Sequence, residues 1–352
     1  MPHDTLTALE RWLALFHRQL PDRVPLDYWA TPEVDQMLMA HLGCATRLEL
    51  LRTLHVDFIV DVIPPYIGPA LPAGYDVWGL GYRQTDYAGG AYAEAIDRPL
   101  AKYQTLAEIK ANHIWPNPDW WDYSDLAGQL VGFEDHPIAG GGHQPFMIFK
   151  DMRGHEQALL DLHDDPELVH YCVGQISEVH YQNTLRTFEA LPGKINITYA
   201  DEDLGGQRNL MYSPAHIREF IFPGMRRVIA LGHQAGAYVR HHDDGAISRI
   251  LPELLDLGFD FLNPLQWRAE GMDREYLKRE IGPRVVLHGG MDNQATLPFG
   301  SVEDVRQEVR DNLRLLGQGG GYILAPCHNL QANTPIANIL ALYETAYAEG
   351  WY

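Results

Sequence analysis

Cysteine is scarce in this 352-residue chain, and what there is lies scattered. Cys44, Cys172 and Cys327 are odd in number, far apart and nowhere arranged as Cys-x-x-Cys. That excludes a disulfide framework and fits a reducing compartment, so a cytoplasmic location is expected. Positive charge is also in deficit, with 27 Lys and Arg against 47 Asp and Glu, a net charge of −20, and no basic run. Binding to nucleic acid or to an anionic membrane surface depends on Lys and Arg meeting phosphates, so neither partner is expected. Long apolar runs are missing as well, none approaching the ~20 residues that span a bilayer. Thr5–Leu20 repeats apolar residues at a helical period interrupted by Glu10, Arg11, His17 and Arg18, which makes it an amphipathic helix and not a signal peptide. Internal repeats, low-complexity tracts and linkers are absent, favouring a single domain over residues 1–352. Gly140-Gly-Gly-His143 and Gly319-Gly-Gly321 resemble phosphate cradles in composition only, and neither is a nucleotide fingerprint.

What the chain does contain is a series of short apolar runs, each followed by polar residues. Val56–Val62 carries Asp61, and Lys194–Tyr199 leads into Asp201, Glu202 and Asp203. Ala235–Arg240 leads into His241, His242, Asp243 and Asp244, and Phe259–Leu262 into Asn263 and Gln266. Arg284–Leu287 leads into His288, Gly290 and Asp292, and Tyr322–Ala325 into Cys327 and His328. Helical patterns over Pro166–Ala190, Pro214–Leu231, Ile247–Leu257 and Val302–Leu316 alternate with these runs, which implies parallel strands with crossover helices. The expected fold is a (β/α)8 TIM barrel. In that fold, groups at the C-terminal strand ends converge on one mouth, so the chain reads as an enzyme. Residues 1–54 are expected to form a helical extension ahead of the barrel. The Gly-, Pro- and Trp-rich stretch 64–137 is expected to be an elaborated, ordered loop over the mouth.

Each polar residue also has a plain structural role open to it. Asp61, set among apolar neighbours, has a pKa that burial would raise toward acid–base use, yet it is equally placed to tie down the Pro64-Pro65 turn. His241, His242 and the aspartates after them make either a catalytic strand end or a solvated turn. Asn263, Gln266 and Asp292 are expected to contact substrate, and Tyr66 and Trp78 to line an apolar pocket, although aromatics in a long loop often only anchor it. Cys327 is expected to be an inert buried thiol.

Several stretches together resemble the uroporphyrinogen decarboxylase superfamily, in order from about residue 20 to 345. They include Asp22-Arg-Val-Pro, Asp203-Leu-Gly-Gly-Gln, His242-Asp-Asp-Gly, Gly258-Phe-Asp-Phe-Leu-Asn-Pro-Leu-Gln, Gly289-Gly-Met-Asp and Ala325-Pro-Cys-His-Asn-Leu. The resemblance implies a (β/α)8 barrel and, with it, a dimer. It also implies one of two chemistries: metal-free decarboxylation of a tetrapyrrole, or zinc-dependent methyl transfer between a corrinoid protein and a thiol or small donor. Asp61 and His328 match decarboxylase active-site positions, but the arginine segment that holds the tetrapyrrole carboxylates reads Leu26-Asp-Tyr-Trp-Ala-Thr-Pro here. Uroporphyrinogen itself is therefore not the expected substrate.

The methyltransferase pattern, His-x-Cys-Gly with a later cysteine, reads His242-Asp-Asp-Gly and Cys327-His328 in this chain. The resemblance thus implies a divalent metal on His242, Asp244, His328 and Glu202, the last ahead of Asp203. Zinc leads on family grounds, with manganese and iron as competitors because these donors are harder. The leading expectation is a metal-dependent methyltransferase or demethylase acting on a small molecule, with Asp61, His242 and His328 catalytic and the corrinoid carried by a separate protein. The alternative is a metal-free decarboxylase of a small aromatic or pyrrolic acid, in which Asp61 stabilises a protonated intermediate and His328 places the carboxylate. A barrel that binds a ligand without turnover is the third reading.

Overall fold

The computed structural model describes residues 3–87 and 90–352. Seven strands form one all-parallel sheet in which each neighbour is also the next along the chain: β1 (Val60–Val62), β4 (Ile138–Gly140), β5 (Ile197–Tyr199), β6 (Tyr238–His242), β7 (Phe261–Asn263), β8 (Val286–Met291) and β9 (Tyr322–Pro326). Between β1 and β4 stands an antiparallel hairpin of β2 (Gly81–Tyr87) and β3 (Gly90–Asp97). Six of the seven parallel strands coincide with the apolar runs read from the sequence, and β4 is the one that reading did not register.

The two edges of the sheet meet the same extended segment. Leu324 N donates to Pro25 O, and Asp27 N donates to Leu324 O, so Pro25–Asp27 runs parallel to β9. On its other side, Asp57 N donates to Leu26 O just ahead of β1. The described part of the expected extension, residues 3–54, is therefore built into the closure of the sheet rather than appended to it. They supply the stretch that joins β9 to the approach of β1, and the helices Pro32–Leu42 and Arg47–Thr53 form the crossover that follows it.

The first helix, Ala8–Phe16, opens with a capping box in which Thr7 and Glu10 exchange hydrogen bonds. Its apolar face closes one end of the curled sheet, where fully buried Trp12 and Leu15 cluster with Ala139, Ile197, Phe261, Val286 and Ile323 from five strands. Trp12 Nε1 also donates to Asp57 O at 2.7 Å. Truncating Trp12 to Ala would leave a void beneath the barrel, at an expected cost of about 3–5 kcal/mol by denaturant titration.

Side chains alternate along a strand, so residues two positions further on point the same way. From that apolar floor the inward direction carries Tyr199, Asn263, His288 and Ala325, and on β6 it carries Tyr238, Arg240 and His242. The floor turns polar toward the C-terminal strand ends, and the site is built on that layer.

In the segment expected as an elaborated loop, 64–137, the described residues 64–87 and 90–137 are ordered by the hairpin, by the helix Leu106–Asn112 and by aromatic contacts. Tyr66 and Trp78 serve as its anchors. Tyr66 lies edge-on to Trp120 and Trp121, and Trp78 stacks on His180 at 5.5 Å. Among the described residues, no helix is long and apolar enough to cross a membrane.

Burial holds His180 down to about 4 and His143 well below its ordinary value, so both are neutral in the folded chain. The unfolded chain binds protons near pH 6.5 where the folded chain does not, so stability is full above that pH and falls as pH drops toward 4. Denaturant midpoints compared at about pH 7 and about pH 5 are expected to fall, with a shallower fall in His180→Gln.

Candidate active site

Two loops at the C-terminal strand ends come together backbone to backbone. Asp243 Oδ1 accepts from Leu204 N at 2.9 Å and Gly205 N at 3.1 Å, and Ala246 N donates to Gly206 O at 2.7 Å. A Cβ on Gly205 would lie 2.4 Å from Asp244 O, and Gly245 has φ +89° with Gly206 O 2.5 Å from where its Cβ would stand. Glycine is thus required in both Asp203-Leu-Gly-Gly and His242-Asp-Asp-Gly for the loops to touch. The contact sets Asp203 beside Asp244.

The product is a cluster of Asp203, His242 and Asp244, whose candidate ligand atoms all lie within 4.8 Å of one another. His242 Nε2 stands 3.8 Å from Asp203 Oδ1 and 3.9 Å from Asp244 Oδ2, and His328 Nε2 stands 3.9 Å from the same Asp244 oxygen. Ligands held at about 2.1 Å from one ion are separated by roughly this much. Asp203 Oδ1 is buried with no hydrogen-bond partner, an orphaned acceptor facing the cluster. On His242, Nδ1 is 2.8 Å from Asn263 Oδ1, which leaves Nε2 toward the carboxylates. His328 Nδ1 is engaged by Asn329 Oδ1, and the ring lies against Trp29 at 4.8 Å.

Glu202 does not join them. Its two oxygens accept from Phe146 N and Met147 N at 2.7 and 3.0 Å, capping the helix Pro145–Arg153 from the buried side. Burial pushes its carboxyl up to about 8 against those two bonds. Asp203, the very next residue, faces the cluster in its place. Cys327 donates to Leu265 O at 3.0 Å, and burial raises its thiol well above the ordinary value, so it remains protonated. His241 is also turned away, fully buried, with Nδ1 on Ala200 O and Nε2 3.5 Å from Asp243 Oδ2.

The cluster sits between two cavities. One, of about 440 Å³, is lined by Asp61, Tyr199, Arg240, Trp29 and His242 among others. The second, of about 290 Å³, is lined by Asp244, His328, Gln266, Gln207, Gln331 and Asn333 among others. In the first, Asp61 Oδ1 accepts from Tyr199 OH at 2.5 Å. Burial raises the Asp61 pKa, while Tyr199 and the guanidinium of Arg240 pull it back. Arg240 lies over the Tyr199 ring at 4.1 Å and pairs with Asp201 at 2.6 Å. Neither Tyr199 nor Arg240 was singled out from the sequence. The signal was present, because Arg240 is two residues from His242 on one strand and so shares its face.

The remaining expected substrate contacts fare differently. Gln266 lines the second cavity, with Nε2 3.2 Å from Gln207 Oε1. Asp292 borders it too, but its carboxylate is bound by Arg268 at 2.6 Å and by the N–H groups of Gln294, Ala295 and Thr296, which makes it a structural cap. Asn263 is buried between two histidines. Tyr66 and Trp78 line neither of these cavities, but Trp78 lines a third, mainly apolar one of about 260 Å³ with Val62, Ile63 and Val77.

A parallel α/β barrel-like sheet with imidazole and carboxylates gathered at its C-terminal strand ends defines an enzyme. The chain belongs to the uroporphyrinogen decarboxylase (URO-D) family, whose model matches residues 130–348. Among curated proteins, it is 24% identical to a uroporphyrinogen decarboxylase of Carboxydothermus hydrogenoformans over 87% of this chain and 82% of that protein. It is 23% identical to the methylcobamide:CoM methyltransferase MtaA of Methanosarcina barkeri over 89% of this chain and 85% of that protein. Among solved structures, a methyltransferase from Methanosarcina mazei superposes with a TM-score of 0.69 at 19% identity, covering 98% of this chain and 99% of that one. That likeness shows the shared fold.

Proposed function

We propose that this enzyme is a metal-dependent methyltransferase or demethylase that moves a methyl group from a small donor, with a corrinoid protein or a thiol as acceptor. The observation that carries the reading is the convergence of Asp203, His242 and Asp244 at the mouth, with an orphaned carboxylate oxygen of Asp203 facing the Nε2 of His242. Such a donor set fits a divalent cation, zinc or one of its harder competitors. His242, Asp203 and Asp244 would hold the ion, and His328, 3.9 Å from Asp244 but outside that group of three, flanks it. When bound, the ion supplies Lewis acidity, lowering the pKa of a thiol or polarising a methoxy oxygen. Similarity to a protein named as a methylcobamide:CoM methyltransferase supports methyl transfer.

The chain's own groups do the rest. Asp61, held by Tyr199 and raised by burial, carries or takes a proton on the wall of the larger cavity. Tyr28, Trp29 and Phe58 place aromatic surface on one part of that otherwise polar cavity, against which an apolar portion of a small substrate would pack.

A second reading, decarboxylation of a small aromatic or pyrrolic acid, draws on the Asp61–Tyr199–Arg240 group and on the relatives named uroporphyrinogen decarboxylase. The test is metal analysis by mass spectrometry on protein purified without chelator, paired with an assay of methyl transfer from methylcobalamin to a small thiol. About one divalent ion per chain in the native protein, lost together with transfer in His242→Ala, is the expected result. A metal-free protein that decarboxylates in the presence of chelator would overturn the first reading in favour of the second.

A further inference from the structure

Asn263 closes the end of β7 with its side-chain amide between two imidazoles. Its Oδ1 lies 2.8 Å from His242 Nδ1, and its Nδ2 lies 3.2 Å from His288 Nδ1. His288 in turn places Nε2 3.0 Å from Asp27 Oδ2. Asn263 and His288 are both buried, and Trp12 and Phe261 hold the His288 ring at 5.8 and 6.1 Å between centroids.

The polarity of this series follows from its far end. The Asp27 carboxylate lies in ionic contact with His288 Nε2 without a well-directed hydrogen bond, and its charge favours the proton on Nε2, so His288 Nδ1 is left to accept from Asn263 Nδ2. That acceptor turns the NH2 of Asn263 toward His288 and its carbonyl oxygen toward His242. An oxygen at that position takes a hydrogen from His242 Nδ1, and Nε2 is left with a lone pair. Nε2 then faces Asp203 Oδ1 and Asp244 Oδ2, three lone pairs with no hydrogen among them, an arrangement satisfied by a cation.

We propose that Asn263, oriented by Asp27 through His288, is a positioning residue that locks His242 in its Nδ1–H tautomer. Its effect on metal affinity rests on the proposed metal site; the tautomer itself does not. Partners of this kind fix the ring of a ligating histidine, and their loss costs about 10–100-fold in affinity. Without the amide oxygen, His242 divides between two tautomers, only one of which offers Nε2 to the cluster.

The test uses the full-length chain stripped of metal. Long-range proton–nitrogen NMR at mildly alkaline pH, with the His242 signals identified by their loss in His242→Gln, reads the tautomer directly. The native protein is expected to show Nδ1–H, and Asn263→Ala a mixture. Zinc affinity, measured by competition with a chromophoric chelator, is expected to fall by about 10–100-fold in Asn263→Ala and to recover in Asn263→Asp, which restores the acceptor. Thermal unfolding of each variant checks the fold. Should Asn263→Ala not fold, Asp27→Asn serves in its place, because an amide there no longer dictates the direction of the series and Nδ1–H should lose population. An Nε2–H tautomer in the native protein, or zinc bound as tightly by folded Asn263→Ala as by the native chain, would overturn the proposal. If His242 is Nδ1–H but no sample binds zinc, the tautomer lock stands and the metal reading fails.

Discussion

Replacing Asp203 by Ala is expected to lower metal affinity by at least ~100-fold, whereas replacing Glu202 by Ala leaves it within a few-fold of native. The floor comes from the ~10–100-fold cost of losing a partner outside the coordination shell, which loss of a ligand should exceed. The two carboxylates are adjacent in sequence and sit on one loop, so composition, charge and helix content cannot separate the variants. Direction does. Asp203 Oδ1 is buried, unpartnered and 3.8 Å from His242 Nε2, while both oxygens of Glu202 are bound to the backbone of Phe146 and Met147. Glu202→Ala should instead cost stability, since it leaves two N–H groups at a buried helix start without an acceptor. Competition with a chromophoric chelator gives the affinities, and a denaturant titration gives the stabilities. The reverse pattern, with Glu202→Ala losing metal and Asp203→Ala retaining it, would mean that the cluster is not the metal site. A milder probe of the same loop is Gly205→Ala, whose Cβ meets Asp244 O and must push the two loops apart. It is expected to weaken metal binding with both carboxylates intact.

The contrast between those residues also shows where reading the sequence succeeds and where it stops. Six strands were legible because each is an apolar run with a polar end, a local pattern that one strand of a barrel imposes on its own residues. The placement of His242, Asp244 and His328 near one another followed from strand order. β4 escaped because Ile138-Ala-Gly is three residues of which one is glycine, too short to show a period. Pro25–Asp27 escaped because it is three residues long with Pro21 and Pro25 interrupting any period, although it hydrogen-bonds to β9 on one side and to the approach of β1 on the other. The choice of Asp203 over Glu202 depends on amides more than fifty residues away, and no local rule carries that information. Asn263 was recognised as a site residue and does line the larger cavity; what the sequence could not show is its pair of imidazole partners. Its partners, His242 and His288, lie on the two adjacent strands, and only the register of β6, β7 and β8 brings them together.

Asp57→Ala is expected to destabilise the fold by about 3–5 kcal/mol, the cost of breaking a buried ion pair from one side. Asp57 is 3% exposed and meets two guanidinia that are 2% exposed each. Its Oδ1 is 2.5 Å from Arg11 Nη1, and its Oδ2 takes Arg23 Nη1 at 2.7 Å and Leu26 N at 2.9 Å. Removing the carboxylate leaves the two buried cations only Asp4, whose side chain is 37% exposed, and Asp22, and leaves the Leu26 N–H unpaired. These groups belong to the helix that plugs the sheet, to the segment that joins β9 to the approach of β1, and to that approach itself. One carboxylate therefore ties together every element that closes the barrel. This gives Asp22-Arg-Val-Pro a structural task at the end of the sheet remote from the active site. Replacing an exposed pair such as Arg310 with Glu349 should change stability by under ~1 kcal/mol. Urea midpoints at constant slope measure both. A loss at Asp57 no greater than that at the exposed pair would show that closure rests on the apolar plug alone. A loss of the expected size should also reach the active site, because Asp27 and Trp29 continue the segment that Asp57 pins, and they face His288 and His328 at the other end of the barrel.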